Sequence, residues 1–286
     1  MTLHTPVIAN ATQREKWNTE TGSRWLERHA IIDQQIAPFG RRTMDRANIQ
    51  LGWRVLDVGC GCGETAVELA WRVGHSGSVR GVDISAPLIE AARALAQKSD
   101  LRNVRFDEAD AQTFLFSAAS FDLIFSRFGI MFFDDPDAAF HNLRSALRPG
   151  GRLAFACWPA PRENQFVTIP VAAAARHVPL PAPADPDAPG PFAFAEAERV
   201  RRILSRSDFS DIAIERVTEK VGGMSLEETT DLLFQLGPLD EILAGLDGGT
   251  KHAIRTDLRA ALRQFETSGR VSLDAVAWLV TARAGA

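Results

Sequence analysis

The sequence contains no tyrosine among its 286 residues, although it has 17 Phe and 6 Trp. Any mechanism that needs a phenolic acid, base or radical is therefore excluded. Lysine is nearly as scarce, so arginine carries most of the positive charge, and we ascribe this to composition bias rather than to function. With 45% hydrophobic and 24% charged residues, the chain has the ordinary composition of a globular protein.

Cysteine and long apolar runs are also rare. Cys60, Cys62 and Cys157 are too few and too unevenly spaced for a disulfide framework, which favours a reducing cytoplasm. No apolar run approaches the ~18 residues of a membrane helix, and residues 1–17 lack the apolar core of a signal peptide. We therefore predict a soluble, cytoplasmic protein without a membrane span.

No excess of positive charge is present. The formal net charge is -4 and the pI is about 5.9, so bulk electrostatics favour neither nucleic acid nor an anionic membrane as a partner. The chain is about twice as long as a typical ~150-residue domain, which allows one large domain or two small ones.

From Trp53 onward, short apolar runs alternate with helix-like stretches of ten or more residues. The runs are at 55–58, 79–83, 104–106, 121–125 and 153–158, and the helix-like stretches are at 64–73, 86–97 and 134–147. Strands that alternate with helices form βαβ units, in which helices cover both faces of a parallel sheet. The pattern predicts an α/β fold with a doubly wound, Rossmann-like sheet.

The flanking regions are less regular. Residues 11–47 are predicted to be helical, with an interruption at Pro38, and to form a helical N-terminal cover. After the Pro-rich stretch 179–191 we expect a helix at 195–207, a strand at 212–217, two or three helices over 226–267, and a strand at 275–281.

Because the alternation continues after the Pro-rich stretch, we favour one domain over two. The expected division of residues 1–286 is a cover (1–50), a core (51–158), and insertions at 159–194 and 224–268 that shape a substrate pocket as a lid. The sheet would then have seven mostly parallel strands.

A glycine-rich turn joins the first strand to its helix. Gly59, Gly61 and Gly63 let the backbone bend sharply and approach a ligand closely. Asp83 ends the next strand, where a carboxylate can accept both hydroxyls of a ribose. Asp57 lies two residues before the first glycine, where it would repel a pyrophosphate but could hold an ammonium group. The pattern favours an amino-acid-bearing nucleoside over a dinucleotide.

These motifs closely resemble those of class I S-adenosylmethionine-dependent methyltransferases. The resemblance covers roughly residues 50–158 and includes Asp83-Ile84, Asp110-Ala111-Gln112 and Arg148-Pro149-Gly150-Gly151-Arg152-Leu153. It implies that S-adenosyl-L-methionine is the cofactor. Its methionine part would be held by Asp57, Gly59, Cys60 and Gly61, its ribose by Asp83, and its adenine by Ile84, Asp110 and the N–H of Ala111, with Ser126 closing the pocket.

Residues 126–133, followed by Asp135-Pro136, are similar to the ubiquinone and menaquinone C-methyltransferase group, which acts on small molecules. The resemblance implies that Phe128 and Met131 face an apolar acceptor, although plain core packing is an equally good explanation. Trp17 and Trp25 fit the helical cover of such enzymes, with Trp25 against the cofactor and Trp17 near the acceptor.

We expect no metal ion. Cys60 and Cys62 lack two further ligands nearby, and the six histidines form no pair at helical spacing. Methyl transfer from a sulfonium has an excellent leaving group, so no dedicated base is obligatory, and no catalytic residue is assigned. If the acceptor must lose a proton, the candidates are His29, His141 and His177.

The prediction is therefore in-line methyl transfer to a small, partly apolar acceptor, with no nucleic acid partner and with a homodimer left open. Two alternatives remain. One is a regulatory subunit that binds the cofactor without catalysis, and the other is an NAD-dependent oxidoreductase on a Rossmann sheet.

Overall fold

The computed structural model describes residues 8–182, 185–237 and 239–285. Residues 1–7, which include His4 and the start of the segment read as lacking a signal peptide, lie outside the described residues, as do residues 183–184 of the Pro-rich stretch. The described helices are α1 (Ala11–Asn18), α2 (Glu20–Ala47), α3 (Glu64–Val73), α4 (Ala86–Lys98), α5 (Pro136–Ala146), α6 (Gln165–Ala174), α7 (Ala197–Arg206), α8 (Leu226–Gln235), α9 (Leu239–Leu243) and α10 (Gly248–Leu262).

The strands form one sheet. They are β1 (Arg54–Val58), β2 (Ser78–Asp83), β3 (Val104–Glu108), β4 (Phe121–Arg127), β5 (Leu147–Cys157), β6 (Phe209–Met224), β7 (Glu266–Thr267) and β8 (Arg270–Ala284). Their order is β3-β2-β1-β4-β5-β8-β6, and the two-residue β7 pairs with β8. The first five strands of this order are parallel, and β8 runs antiparallel to β5. The predicted mostly parallel α/β sheet is confirmed.

The register places the predicted site at the carboxyl ends of the central strands. Asp57 of β1 lies beside Gly81 of β2 and Phe125 of β4, so the carboxyl ends of these three strands meet. Val55, Leu123 and Phe125 are completely buried, and helices α3 and α4 contribute to the same apolar cluster. Full burial of one such side chain contributes about 1.5–3 kcal/mol, so this core fixes the strand ends firmly.

Our expectation that Pro38 interrupts the N-terminal helix is wrong. Helix α2 continues through Pro38 to Ala47 and buries Phe39, Thr43 and Met44 after the proline. A proline inside a helix costs about 3 kcal/mol. Burial of the apolar side chains beyond it offsets that cost, which a reading of local propensity does not include.

The chain forms two compact units. Unit 1 comprises residues 1–158, 187–216 and 278–286, and unit 2 comprises 159–186 and 217–277. Unit 2 has its own apolar cluster, drawn from helices α6, α8, α9 and α10 and from β8. Helix α6, whose residues we assigned only to an insertion, packs against α10 within this unit. No helix of the described residues is long and apolar enough to cross a membrane.

Candidate active site

The glycine loop between β1 and α3 is held in a backbone conformation that favours glycine. Gly59, Gly61 and Gly63 have φ values of 65°, 55° and 93°. Gly59 also lies against the loop after β4, because a Cβ atom on it would approach the Cα of Gly129 to 2.6 Å. The two loops therefore touch through their backbones.

Because of this contact, adding a single methyl group at Gly59 should strongly destabilise the fold. We expect Gly59→Ala to lower the free energy of unfolding by about 3 kcal/mol or more, since it adds a backbone clash to the strain of a positive φ. Gly150→Ala is the matched control, because Gly150 has φ 70° with open space around it. It should cost only about 1 kcal/mol. Urea denaturation measures both values, and equal costs would contradict the proposed loop contact.

Several N–H groups of the loop already have acceptors inside the protein. Those of Gly59 and Cys60 donate to the carbonyl of Val82 at 2.9 and 3.1 Å, and that of Gly61 donates to Asp83 Oδ2 at 2.9 Å. A pyrophosphate site needs such groups free to bind phosphate oxygens. This loop is therefore poorly suited to a dinucleotide.

Asp57 is completely buried at the end of β1. Its Oδ2 accepts a hydrogen bond from Thr65 Oγ1 at 2.6 Å, whereas its Oδ1 has no partner among the described residues. Burial raises the pKa of Asp57 to about 7, against the opposing effects of the Thr65 hydrogen bond and the Arg127 charge. Asp57 thus offers one unused acceptor oxygen to a cationic group.

Asp83 is the last residue of β2, and each of its carboxylate oxygens accepts a hydrogen bond from a backbone N–H of a neighbouring loop. Oδ2 accepts from the Gly61 N–H at 2.9 Å and Oδ1 from the Ser85 N–H at 3.0 Å. Burial raises the pKa of Asp83, while the backbone N–H donors lower it. Each oxygen retains a lone pair that could accept from a diol.

A small cavity of about 40 Å³ lies beside the glycine loop. It is lined by Trp25, His29, Asp33, Ile36, Gly59, Cys60, Gly61, Cys62, Glu64, Thr65 and Arg127. Arg127 donates to Asp33 Oδ1 at 2.6 Å, and burial raises the pKa of the Glu64 carboxyl. With Asp57 and Asp83 close by, acidic groups outnumber basic ones here, which favours a ligand with net positive charge.

The adenine residues implied by the resemblance lie on the loops after β2 and β3. Asp110 is 8% exposed and accepts from the Asn10 side-chain amide at 2.9 and 3.0 Å. The Ala111 carbonyl accepts from Asn142 at 2.9 Å, and the Ile84 carbonyl accepts from Asn18 at 3.0 Å. These two loops are therefore tied to α1 and α5.

Two other residues assigned to the cofactor have side chains engaged within the protein. The buried Ser126 donates to the Val58 carbonyl at 2.7 Å and so links β4 to β1. Cys60 is buried in the core, with its Sγ beside Gly81. The backbone of Cys60, rather than its thiol, is therefore the part that belongs to the loop surface.

The aromatic candidates divide into two groups. Trp25 lines the cavity, and Trp17 contacts both Trp25 and Phe132 edge to face at 5.6 Å between ring centroids. Phe128 is 7% exposed and stacks on Trp158 at 3.9 Å, although its φ of 60° is unusual for an aromatic residue. Met131 is 1% exposed, and its sulfur accepts a hydrogen bond from the backbone N–H of Trp158 at 3.4 Å.

The histidine candidates lie on different elements of the fold. His29 lines the cavity, with its Nε2 3.8 Å from Glu64 Oε1. His141 is exposed on α5, and His177 contacts Asp257 at 2.8 Å within unit 2. Among the described residues, no group of three or more His, Cys, Asp or Glu side chains could hold a metal ion.

Sequence reasoning missed several residues that complete the site. Thr65 follows Asp57 by eight residues, and a hydroxyl on the first turn of α3 was a usable signal for its carboxylate partner. Asp33 and Arg127 are 94 positions apart, and no spacing rule pairs them. Asn10, a buried amide bound to Asp110, is likewise visible only in the fold.

Comparison with known proteins agrees with this geometry. Residues 55–151 match a family described as a methyltransferase domain. An aklanonic acid methyltransferase from Streptomyces sp. is 39% identical over 135 residues, which are 47% of this chain and 61% of that protein. A ubiquinone/menaquinone biosynthesis C-methyltransferase from Idiomarina loihiensis is 33% identical over 114 residues, 40% of this chain and 45% of that protein. The chain spans about half the length of the curated relatives it matches.

Solved structures show the same fold at low identity. Phosphoethanolamine N-methyltransferase 2 from Haemonchus contortus, in complex with phosphomonomethylethanolamine and S-adenosylhomocysteine, has a TM-score of 0.61 and 19% identity, covering 99% of this chain and 62% of that one. The YcgJ protein from Bacillus has a TM-score of 0.55 and 20% identity, covering 86% and 98%. Residues 55–151 thus match a methyltransferase domain, and the chain is similar over part of its length to the ubiquinone and menaquinone C-methyltransferase group.

Proposed function

We propose that this protein transfers a methyl group from S-adenosyl-L-methionine to a small, partly apolar molecule. The observation that carries the proposal is the unpartnered Oδ1 of Asp57, a buried acceptor whose hydrogen-bond partner Thr65 lines the acidic cavity beside the glycine loop. A buried polar atom without a partner points to a missing one. The methionine α-ammonium is a donor of suitable charge, and Trp25, Gly59, Cys60 and Gly61 would surround the same part of the cofactor.

The adenosine end fits the other two loops. Asp83 keeps one lone pair on each oxygen for the two ribose hydroxyls. Ile84 would pack on the adenine, while Asp110 and the Ala111 N–H would bind its polar edge. Ser126 fastens β4 to β1 behind this pocket through the Val58 carbonyl. The segment that matches a methyltransferase domain, residues 55–151, includes these same loops.

The bound cofactor supplies an electrophilic methyl group on a positively charged sulfur. This chain's residues would position that sulfonium and exclude water from it, which can supply much of the rate. The carboxylates of Asp57 and Asp83 favour its positive charge, and the aromatic pair Trp17 and Trp25 covers this side of the site. The reaction as proposed uses no metal ion.

The proposed acceptor is a small, partly apolar molecule. We place Trp17, Phe128 and Met131 near it, and the insertions at 159–194 and 224–268 select it, because irregular additions to a fold commonly carry substrate choice. The acidic pI argues against nucleic acid as the acceptor. Three free, buried cysteines agree with a cytoplasmic enzyme.

Two alternatives make different predictions. An NAD-dependent oxidoreductase would have to place a pyrophosphate beside Asp57 and Glu64, where the loop N–H groups are already bonded. A regulatory subunit would bind the cofactor but transfer nothing.

The test is transfer of a labelled methyl group to a panel of small phenols, carboxylic acids and quinols. We expect label in at least one partly apolar acceptor, and much less label with Asp83→Ala at the same subsaturating cofactor concentration. Tight cofactor binding without transfer to any member of a broad panel would favour the regulatory subunit and contradict the proposal.

A further inference from the structure

Helix α1 is fastened at both ends to the loops that the proposed function assigns to adenosine. Before its first turn, Asn10 donates from Nδ2 to both oxygens of Asp110 and accepts from the Asp134 N–H at 2.7 Å. At its last residue, Asn18 donates to the Ile84 carbonyl at 3.0 Å and accepts from the Ala86 N–H at 2.9 Å. The helix therefore spans from the loop after β3 to the loop after β2.

The buried face of α1 carries a polar group without a partner. Gln13 is 9% exposed, whereas Ala11, Thr12, Glu15 and Lys16 are exposed. Its Oε1 has no hydrogen-bond donor among the described residues. An unsatisfied buried acceptor is costly and calls for a ligand or an ordered water. Because Gln13 lies three residues after Asn10, the two lie on the same face of α1, and we expect a ligand held by the two loops to lie near Gln13.

The hydrogen-bond capacity of Asp110 suggests which ligand group this is. Oδ1 of Asp110 accepts from the Asn10 amide and from the Gln112 N–H at 2.9 Å, which uses both of its lone pairs. Oδ2 accepts only from Asn10, at 3.0 Å, and keeps one lone pair. Asp110 can therefore take one further N–H, whereas an exocyclic amino group on adenine has two.

We propose that Gln13 accepts the second N–H of the adenine amino group and so selects adenine over a base with oxygen at that position. This inference rests on the proposed function, because it needs an adenosine ligand between the two loops. Asp110 Oδ2 takes one N–H and Gln13 Oε1 the other, so both hydrogens and both open acceptors are used. A carbonyl oxygen in place of the amino group would face two acceptors and donate to neither.

The test compares S-adenosylhomocysteine with S-inosylhomocysteine, in which a carbonyl replaces the amino group, by calorimetry on the full chain. We expect Gln13→Met to weaken binding of the adenine ligand about fivefold to tenfold, as for one lost hydrogen bond, and to leave the inosine ligand unchanged. Lys16→Met, an exposed position on the same helix, should change neither affinity. Equal changes for both ligands, or no change for either, would overturn the proposal.

A measurement on the unaltered protein guards against a variant that misfolds. S-adenosylhomocysteine carrying one methyl group on the adenine amino nitrogen has lost one N–H, and we expect it to bind at least fivefold more weakly. Equal affinity would contradict the use of both hydrogens. If the unaltered protein binds neither the adenine nor the inosine ligand, the proposed function fails. If it binds both with no preference, only the role of Gln13 fails.

Discussion

Asp57→Asn is expected to abolish a pH dependence of stability: in the wild type, the free energy of unfolding should fall by about 4 kcal/mol between pH 4 and pH 7.5, and in the variant this fall should be absent. Burial raises the pKa of Asp57 from 3.8 to about 7, and each unit of difference corresponds to about 1.4 kcal/mol. The folded protein therefore binds more protons than the unfolded chain between these two values, so the free energy of unfolding falls as the pH rises through that window. Asparagine retains an acceptor for Thr65 without a charge to bury.

Chemical denaturation of the cofactor-free protein at a series of pH values measures this effect. The difference in unfolding free energy between wild type and Asp57→Asn should grow from pH 4 to 7 and then level off. Because Asp83 is present in both proteins, the part of its contribution to the slope that does not depend on the charge of Asp57 cancels in that difference. Parallel pH profiles for the two proteins would show that Asp57 does not titrate as its burial predicts.

The same carboxyl should couple cofactor binding to pH. An ammonium group favours ionised Asp57, so the affinity of the wild type for S-adenosylhomocysteine should rise about tenfold per pH unit below 7, relative to Asp57→Asn. Calorimetry in buffers of different ionisation enthalpy counts the proton released. No difference in proton release between the two proteins would remove Asp57 from the methionine site.

Asp83→Ala is expected to weaken binding of S-adenosylhomocysteine at least tenfold. The substitution removes the charged acceptor for the ribose hydroxyls, and hydrogen bonds to a charged group are worth about 1.5–3 kcal/mol. It also removes the acceptor for the Gly61 and Ser85 N–H groups, which loosens the loop. Both consequences act in the same direction on affinity.

Asp107→Ala is the matched control for this change. Asp107 lies on β3 with its side chain 42% exposed, and its carboxylate pairs with Arg80 at 2.7 Å rather than with the glycine loop. Surface ion pairs contribute little, so binding should be almost unchanged. If Asp83→Ala and Asp107→Ala bound S-adenosylhomocysteine with the same affinity, the ribose assignment would be wrong.

The central sheet was predictable because its signals are local. Strand β2 ends at Asp83 and α3 begins at Glu64, and both follow from apolar runs that stop at glycine or acidic residues. The continuation of α2 through Pro38 was not predictable, because it depends on burial of Phe39 and Met44 against the rest of unit 1. Propensity opposes that helix, and tertiary packing overrides it.

The site was predictable from sequence where its functional side chains lie at or just after the ends of strands. Asp57 and Asp83 lie at the carboxyl ends of β1 and β2, and Asp110 follows β3, so the sheet topology brings the three residues to the same end of neighbouring strands. Asn10 and Gln13 carried no such signal, since a short polar helix gives no sign of which face will be buried. The partnership of Asp33 with Arg127 needs the β4 loop to meet α2, a contact set by the whole fold.

Calorimetric titration with S-adenosylmethionine, S-adenosylhomocysteine and NAD tests the central claim most directly. The acidic cavity, the internally bonded glycine loop and the open Oδ1 of Asp57 predict saturable binding of the first two ligands and none of NAD. Binding of NAD alone would contradict the account.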